Sequence, residues 1–392
     1  MSIANKAKNE QEYITDLRRD FHAHPEISLQ EFRTATRIEQ ELDKLGIYHE
    51  RCGETGVYAV LKGEKAGNGV VALRADIDAL AITETHDTPY CSQNKGVMHA
   101  CGHDCHIACL LGSAKLLSQA KDTFGGEVRF FFQPAEEIGA GAKEFVQDGH
   151  LNDVERILGL HVASDIKAGT VGIKSGSNNA AVDYFKIQVK GMATHVSTPQ
   201  KGADALYIAS QIVVNAQALT TRLHSPAEPV LIGIGKLNAG TAYNIVAGNA
   251  VIEGTTRTLT PETRARVKQQ INDLAEQTAK LYGGSVEISW VDFTPPLINP
   301  ADVCKEVQTQ AELLGINVIT DRPVSLGGDN FAEFQQFVKG VYICLGTQNP
   351  DKPNTALPHH NDGFDIEESA LVHGASIYAQ YAIWWLNEGR KS

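Results

Sequence analysis

Three short, mostly apolar runs constrain the fold of this chain more than any other feature, because each fits a buried strand. They are Val70–Leu73, Glu127–Phe132 and Arg156–Leu160. Continuous apolar runs are typical of the inner strands of α/β sheets, where helices cover both faces. Stretches with helical periodicity lie at 8–22, 30–45 and Ile107–Leu117. The pattern therefore predicts an α/β domain.

Side chains that can bind metals follow all three runs. Asp76 and Asp78 follow the first, Glu136 and Glu137 follow the second, and His161 follows the third. The carboxyl ends of parallel strands are where open α/β sheets place their active sites. Adjacent glutamates usually mark a solvated surface, but this pair precedes a glycine-rich turn where the backbone can approach a ligand. One glutamate can then bind a metal while the other faces substrate.

A dense cluster of cysteine and histidine, MHACGHDCHIAC, occupies Met98–Cys109. Thiolate and imidazole are ligands that zinc, manganese and cobalt accept. Gly102 allows the backbone to bend so that ligands on either side face one point. By itself, the cluster fits a catalytic metal site, a small structural zinc site or a metal-free helix start.

The candidate ligands come from several separate segments of the chain: Cys101, His103, one of Glu136 and Glu137, His161, and one of His359 and His360. A structural zinc needs four ligands, normally in closely spaced pairs, so five distant ligands fit two ions better. The glutamate that is not a ligand can take a proton from water and pass it to a leaving amine. This predicts metal-assisted amide hydrolysis, and no GxSxG or Walker-type motif suggests a competing mechanism.

Length and strand order predict two domains. A chain of 392 residues exceeds one ordinary domain. Between Ala181 and Trp290 the elements read β-α-β-β-α-β, which is the ferredoxin-like pattern. We therefore expect a second domain at 181–294, inserted into a first domain formed by 1–180 and 295–392.

Charge and cysteine content limit partners and location. The net charge of −12 disfavours nucleic acid and anionic membranes, which both need a basic face. No apolar run of about 18 residues is present, and the polar N-terminus lacks the apolar core of a signal peptide. Seven cysteines, several crowded into one segment, fit reduced thiols and metal binding. The predicted location is the cytoplasm.

Taken together, the motifs resemble those of the aminoacylase-like dinuclear metallopeptidases. Within that family the chain looks most like the branch of hippurate hydrolase, auxin-conjugate amidohydrolases and N-acetyldiaminopimelate deacetylase. The resemblance runs along nearly the whole chain, through RRDFHAHPE, LRADIDAL, MHACGHDCH, FFQPAEE, GLHV, GMATHVSTP, NIVAG, GTTRT, GGDNF and HHNDGFD. It implies an α/β fold: a zinc-peptidase-like catalytic domain with a mixed, largely parallel sheet, plus an inserted ferredoxin-like α+β lid and dimerisation domain.

The resemblance also implies the roles of individual residues. The implied metal ligands are Cys101, His103, Glu137, His161 and His360, with Cys101 bridging two ions. Glu136 matches the general acid and base, and Asp78 matches the acid that orients a ligand histidine. His195 matches a histidine that polarises the scissile carbonyl and can come from a partner subunit. Asn244 and Arg257 match positions that hold the substrate.

Four further positions need separate comment. We interpret His106 as a support for the ligands and Cys105 as a packing residue. Ala81 stands where the family usually has proline, and Asp76 stands where more distant relatives have a ligand histidine.

The predicted function is a metal-dependent amidohydrolase that cleaves N-acyl amino acids, for example N-acetyl amino acids. It would use two divalent ions per subunit, manganese or zinc, with cobalt and nickel as alternatives. We expect a homodimer or higher homo-oligomer through the inserted domain. The same site would also suit a dipeptidase, carboxypeptidase or other peptidase, and a binding or scaffold protein with an inactive site is a further alternative.

Overall fold

The structure, a computed structural model, describes residues 2–391 of the chain. Its α-helices are α1 (Ile3–Asn9), α2 (Gln11–Ala23), α3 (Phe32–Lys44), α4 (His103–Ser118), α5 (Ala142–Gln147), α6 (Ala205–Arg222), α7 (Pro261–Leu281), α8 (Ala301–Leu313), α9 (Phe331–Gln335) and α10 (Leu371–Asn387). Its strands are β1 (Tyr48–Cys52), β2 (Gly56–Lys62), β3 (Lys65–Asp76), β4 (Gly125–Gln133), β5 (Arg156–Lys167), β6 (Thr170–Gly172), β7 (Gly176–Asn179), β8 (Ala181–Lys190), β9 (Thr194–His195), β10 (Leu231–Ala239), β11 (Ile245–Val246), β12 (Asn249–Thr258), β13 (Ser285–Thr294), β14 (Leu297–Asn299), β15 (Asn317–Ile319) and β16 (Gly340–Gln348).

The chain divides into two compact units. The first comprises the chain up to Asn178, Ile298–Pro323 and the chain from Asn330 onward, and the second comprises Asn179–Leu297 and Val324–Asp329. The predicted bounds place Asn179, Ala180, 295–297 and Val324–Asp329 in the first domain, whereas all of them lie in the second unit. The segment Val324–Asp329 joins the second unit because the Ala180 N–H donates to the Ser325 carbonyl at 3.0 Å.

The first unit is built on an eight-stranded sheet in the order β1-β2-β4-β3-β5-β16-β6-β15. The central strand β3 runs parallel to both β4 and β5, and β5 runs parallel to β16, whereas β1, β2 and β4 pair antiparallel. The predicted mixed, largely parallel sheet is thereby confirmed. The last eight residues of β3 are all buried, as expected of a strand covered on both faces.

The helix that leaves the cysteine and histidine cluster is the centre of this core. In α4, every residue from His103 to Ala114 is buried. It packs against α2 and the apolar helix α10. A helix buried all round is held rigidly by its neighbours, so its first turn is a firm support for ligands.

The second unit contains a four-stranded antiparallel sheet in the order β10-β12-β8-β13. Along the chain, its main elements follow the predicted β-α-β-β-α-β order. Burial alternates along β8, and α6 and α7 pack on its buried face in a separate hydrophobic core. A small additional pair, β9 and β11, lies outside this sheet.

Candidate metal centre

The five predicted ligands come together in the first unit. Cys101 and His103 lie at the start of α4, Glu137 lies in a 3₁₀ turn after β4, and His161 lies within β5. His360 lies in the loop after β16 and has a positive φ of 66°. The prediction that β5 ends at Leu160 is wrong, because the strand continues to Lys167 in register with β16.

The ligand atoms form two groups of three that share one residue. Cys101, His103 and His161 form one group, and Cys101, Glu137 and His360 form the other. Within each group the donor atoms lie within 4.8 Å of one another. A shared thiolate at the junction of two ligand groups has the chemistry to bridge two cations.

His161 is prepared to offer one nitrogen to a cation. Its Nδ1–H donates to the carbonyl of Val162 at 2.7 Å, so Nε2 carries the lone pair. Nε2 lies 3.4 Å from the sulfur of Cys101. Burial, assisted by the nearby His106 and His359 rings, lowers the pKa of His161 well below its ordinary value. The ring is therefore neutral, as a ligand must be.

Two buried polar atoms in the site lack hydrogen bonds. Within the described part of the chain, neither His103 Nε2 nor Glu137 Oε1 has a hydrogen-bond partner, although His360 Nε2 is 3.4 Å from the latter. The two atoms lie 3.9 Å apart. Buried polar groups without partners are rare in native proteins. Divalent cations held by the two ligand groups would satisfy both atoms, so these residues fit the metals that the sequence predicts.

The electrostatics of the site also call for cations. Burial, reinforced by the Glu137 carboxylate, raises the pKa of the Cys101 thiol well above its ordinary value, so a thiolate here requires a neighbouring positive charge. Burial alone would lower the pKa of His103, but Asp76 and Cys101 raise it well above its ordinary value. The surrounding acidic groups thus favour a proton on His103, and a bound cation would replace that proton.

Asp78 connects three parts of the site. It accepts hydrogen bonds from His103 Nδ1 at 3.3 Å and from the backbone N–H groups of Glu136 and Glu137 at 3.0 and 3.1 Å. It also accepts a hydrogen bond from the hydroxyl of Ser28 at 2.6 Å. Burial would raise the pKa of Asp78, but the hydrogen bonds from His103 and Ser28 outweigh burial and lower it. An ionised Asp78 therefore orients the ring of His103 and the turn that carries both glutamates.

Glu136 lies beside the ligands without belonging to either group of three. Its side chain is buried, and its Oε1 accepts a hydrogen bond from the backbone N–H of Asn330 at 3.3 Å. Its carboxylate, that of Glu137 and the ring of His103 approach within 4.8 Å of one another. Ala135 before it has a positive φ of 55°, which starts the turn that separates the two glutamates.

Comparison with known proteins identifies the family. A sequence profile described as peptidase family M20/M25/M40 matches residues 72–383. N-acetyl-L-cysteine deacetylase of Bacillus subtilis is 37% identical over 380 residues, which cover 97% of this chain and 89% of the relative. Thermostable carboxypeptidase 2 of Saccharolobus solfataricus is 36% identical and covers 99% of this chain and 100% of the relative. The chain belongs to peptidase family M20/M25/M40.

A solved structure of the M20 family agrees with this assignment. A dinuclear metal binding peptidase from Bacillus subtilis is 35% identical and has a TM-score of 0.85. The match covers 97% of this chain and 99% of that chain. The resemblance inferred from the motifs is confirmed, and this M20 family member is a hydrolase of linear amides.

His106 supports the site, and its ring nitrogens are not placed to donate a lone pair to a metal ion. Its Nδ1–H donates to Asp76, and its Nε2 accepts a hydrogen bond from the backbone N–H of Val162 at 2.9 Å. The ring lies 4.6 Å from that of His161, measured between centroids. His106 thus connects the end of β3 to the backbone next to His161.

The sequence interpretation missed a buried polar network behind the ligands. The Arg74 guanidinium donates to Asp76 at 2.6 Å, to Gln133 at 2.9 Å and to the Asn330 side-chain oxygen at 3.0 Å. Asn330 directly precedes α9, but its side chain makes no capping bond to that helix. Its amide group instead donates to the Ala140 carbonyl at 2.6 Å. The position of Arg74 within the apolar strand β3 indicates that its side chain is buried. A buried charge needs partners, so this position was a signal that could have revealed the network.

His359, the alternative to His360, takes a different position. Its ring packs against His161 at 4.8 Å and against Phe364 at 4.9 Å between centroids. It belongs to neither of the two groups that share Cys101. Burial, with a contribution from His106, lowers the pKa of His359 to about 4. His359 is therefore a neutral packing residue beside the site.

The other predicted residues belong to the second unit. His195 is exposed on β9, and its Nδ1 accepts a hydrogen bond from the Ser197 N–H at 3.1 Å. The backbone N–H of Val196 donates to the carbonyl of Asn244 at 3.1 Å, so His195 and Asn244 are near neighbours. Arg257 lies on β12, where its guanidinium donates to the hydroxyl of Thr255.

Proposed function

We propose that this M20 family member hydrolyses the amide bond of N-acyl amino acids, with N-acetyl amino acids as the main substrates. The observation that carries the proposal is the pair of ligand groups that share Cys101, with the carboxylate of Glu136, which belongs to neither group, beside them. The deacetylase relative, which is named for an N-acetyl amino acid, supports this substrate class. The proposed substrate is therefore a small molecule.

The proposed centre holds two divalent ions through the five ligands. Such ions supply Lewis acidity and lower the pKa of water toward neutrality. Manganese or zinc is our first choice, because the ligand set mixes thiolate and imidazole with carboxylate, and cobalt and nickel are alternatives.

The residues of the chain then perform the proton transfers. Glu136 takes a proton from the attacking water and delivers it to the leaving amine. Asp78 keeps His103 in the tautomer that presents Nε2. His195, from this subunit or from its partner, donates a hydrogen bond to the scissile carbonyl. Asn244 and Arg257 bind the carboxylate or carbonyl of the substrate.

Two glutamate variants test the mechanism. We expect Glu136→Gln to lower kcat by about 10²–10⁴-fold while two ions per chain remain bound. Glu137→Gln is the matched control, since it removes a ligand and should lower the metal content. The measurements are metal analysis and the rate of deacetylation. Near wild-type turnover by Glu136→Gln would refute the assigned role.

Carboxypeptidase activity is the second candidate, because thermostable carboxypeptidase 2 is 36% identical over nearly the full length of both chains. The same centre would serve either reaction. Values of kcat/KM for a panel of N-acetyl amino acids and dipeptides separate the two. A preference for dipeptides would favour the peptidase.

We also propose a homodimer formed through the second unit. On α6, Tyr207 and Val214 lie two turns apart on one side, and their exposed fractions are 47% and 65%. A charge in such an apolar face should prevent association, so Val214→Lys is expected to be monomeric by light scattering. Asn215→Lys, at an exposed polar position of the same helix, is the control. An unchanged mass for Val214→Lys would exclude this surface.

The cytoplasm remains our proposed location. All seven cysteines are free thiols, as expected in a reducing compartment. Within residues 2–391, no helix is both long and apolar enough to cross a membrane.

A further inference from the structure

A fully buried arginine far from the ligands in sequence connects two of the segments that carry them. Arg18 in α2 has no exposed surface. Its Nε donates to Asp104 at 2.8 Å, its Nη2 donates to Asp365 at 2.9 Å and its Nη1 donates to Glu368 at 3.3 Å. One guanidinium thus binds three carboxylates on two distant segments.

Both segments lead directly to metal ligands. Asp104 follows His103 in the first turn of α4. Asp365 lies five residues after His360, in the segment that joins that loop to α10. A backbone hydrogen bond also joins the loop to the segment just before α4, from the His360 N–H to the Ala100 carbonyl at 2.8 Å.

The α4 side of this connection is well fixed. Asp104 also receives a hydrogen bond from His22 Nδ1 at 2.8 Å, and His22 Nε2 binds Glu84 at 3.1 Å. The loop that carries His360 is less constrained, because the His360 side chain is 53% exposed. Asp365 has a second partner in the hydroxyl of Tyr90, at 3.0 Å.

We propose that Arg18 is a positioning residue that fixes the His360 loop against the first turn of α4. It thereby completes the ligand group of Cys101, Glu137 and His360, and this inference rests on the proposed two-metal function. The planar fork of arginine is required, since a lysine ammonium cannot bind several carboxylates in fixed directions. The group of Cys101, His103 and His161 depends less on Arg18, because β5 and the buried α4 already hold it.

Metal titration of Arg18→Lys tests the assignment. The metal-free protein is titrated with Co²⁺ and with Zn²⁺ by calorimetry, and the absorption of the Co²⁺ form is recorded. We expect the first ion to bind within about threefold of the wild-type Kd and the second to bind about 10–100-fold more weakly. Excess metal should restore kcat, which a general folding defect would not allow.

Two further variants keep the test decisive. Asp365→Asn removes the ion pair of Arg18 that lies nearest to His360 in the chain and leaves the pair with Asp104 in place. It should therefore also weaken the second ion, even if Arg18→Lys folds poorly. Arg156→Lys breaks a comparable ion pair with Glu306 elsewhere in the first unit, where both side chains are about 15% exposed. This control should bind both ions with wild-type affinity.

The outcomes separate the two proposals. Wild-type affinity for both ions in Arg18→Lys and Asp365→Asn would overturn the role of Arg18 and leave the proposed function intact. Equal weakening of both ions, or the same effect in Arg156→Lys, would also overturn it. If the wild-type protein binds fewer than two ions, the proposed two-metal function itself fails.

Discussion

Asp78 is the residue whose replacement tests the support of the ligands most directly. Its carboxylate accepts from the His103 ring, from two backbone N–H groups and from the Ser28 hydroxyl. We expect Asp78→Asn to weaken metal binding about 10–100-fold. The NH₂ group of asparagine would face the N–H and O–H donors that now bind the Asp78 carboxylate, so at least one of these hydrogen bonds would be lost. Competition with a chromophoric chelator measures the effect.

The control for this residue is Ser28→Ala, which removes one hydroxyl donor and leaves the other three hydrogen bonds to Asp78 intact. It should change the metal affinity less than Asp78→Asn does. Equal effects of the two substitutions would show that Asp78 acts only through local packing.

Single residues also show where sequence reasoning succeeds. Ligand types are chemically restricted, so the histidines, cysteine and glutamates after buried strands identify the candidate centre. The supporting network does not follow in this way. Asn330 meets Arg74 across 256 positions of the chain, at 3.0 Å, and no local pattern indicates that pairing.

At the scale of elements, the start of α4 depends on one glycine. Gly102 has a φ of +85°, and a Cβ there would collide with the side chain of Val162. We expect Gly102→Ala to lower the free energy of unfolding by about 2–4 kcal/mol, from backbone strain plus overpacking. Urea unfolding measures this loss.

Gly46, which follows α3, separates the two contributions. Its φ is +65°, but no atom lies within 4 Å of the position a Cβ would take. Gly46→Ala should therefore show only the backbone strain, about 1–2 kcal/mol. If it destabilises the protein as much as Gly102→Ala, contact with Val162 contributes nothing.

Elements with strong local signals are predicted closely, and short ones are not. The apolar patterns predict strands at Gly56–Lys62 and Ala181–Lys190, and β2 and β8 have these bounds. The edge strand β1 and the three-residue strands β6 and β15 went unpredicted. Such strands exist through pairing with neighbours, so tertiary contacts determine them and propensity does not.

At the scale of the whole molecule, the division of the chain into units was predicted only approximately. The β-α-β-β-α-β order of the second unit can be predicted because apolar residues recur at helical spacing in its helices and at alternate positions in its strands. The segment Val324–Asp329 carries no such signal. Its backbone carbonyls accept hydrogen bonds from the Ala180 N–H and the Thr294 hydroxyl, and a residue of any type has such a carbonyl.

Ion pairs join the N-terminal and C-terminal parts of the first unit, so we expect its stability to depend on pH. Arg18, near the N-terminus, pairs with Asp365, near the C-terminus. Burial would raise the pKa of Asp365, but the Arg18 guanidinium outweighs burial and lowers it. An unfolded aspartate has a pKa of about 3.9. The stabilisation is therefore complete above about pH 4 and is lost as the pH falls toward the lower folded-state pKa.

We expect Asp365→Asn to reduce the acid dependence of the unfolding free energy by up to about 1.4 kcal/mol per pH unit below about pH 4. Trp384 and Trp385 lie in α10 of the first unit, whereas Trp290 lies in the second. Fluorescence in a Trp290→Phe background therefore reports the first unit alone, and chelator in all samples removes metal effects. Asp362→Asn is the control, since this exposed carboxylate forms no ion pair among residues 2–391 and its loss should keep the wild-type slope. An unchanged slope in Asp365→Asn would mean that the pair with Arg18 does not contribute to acid stability.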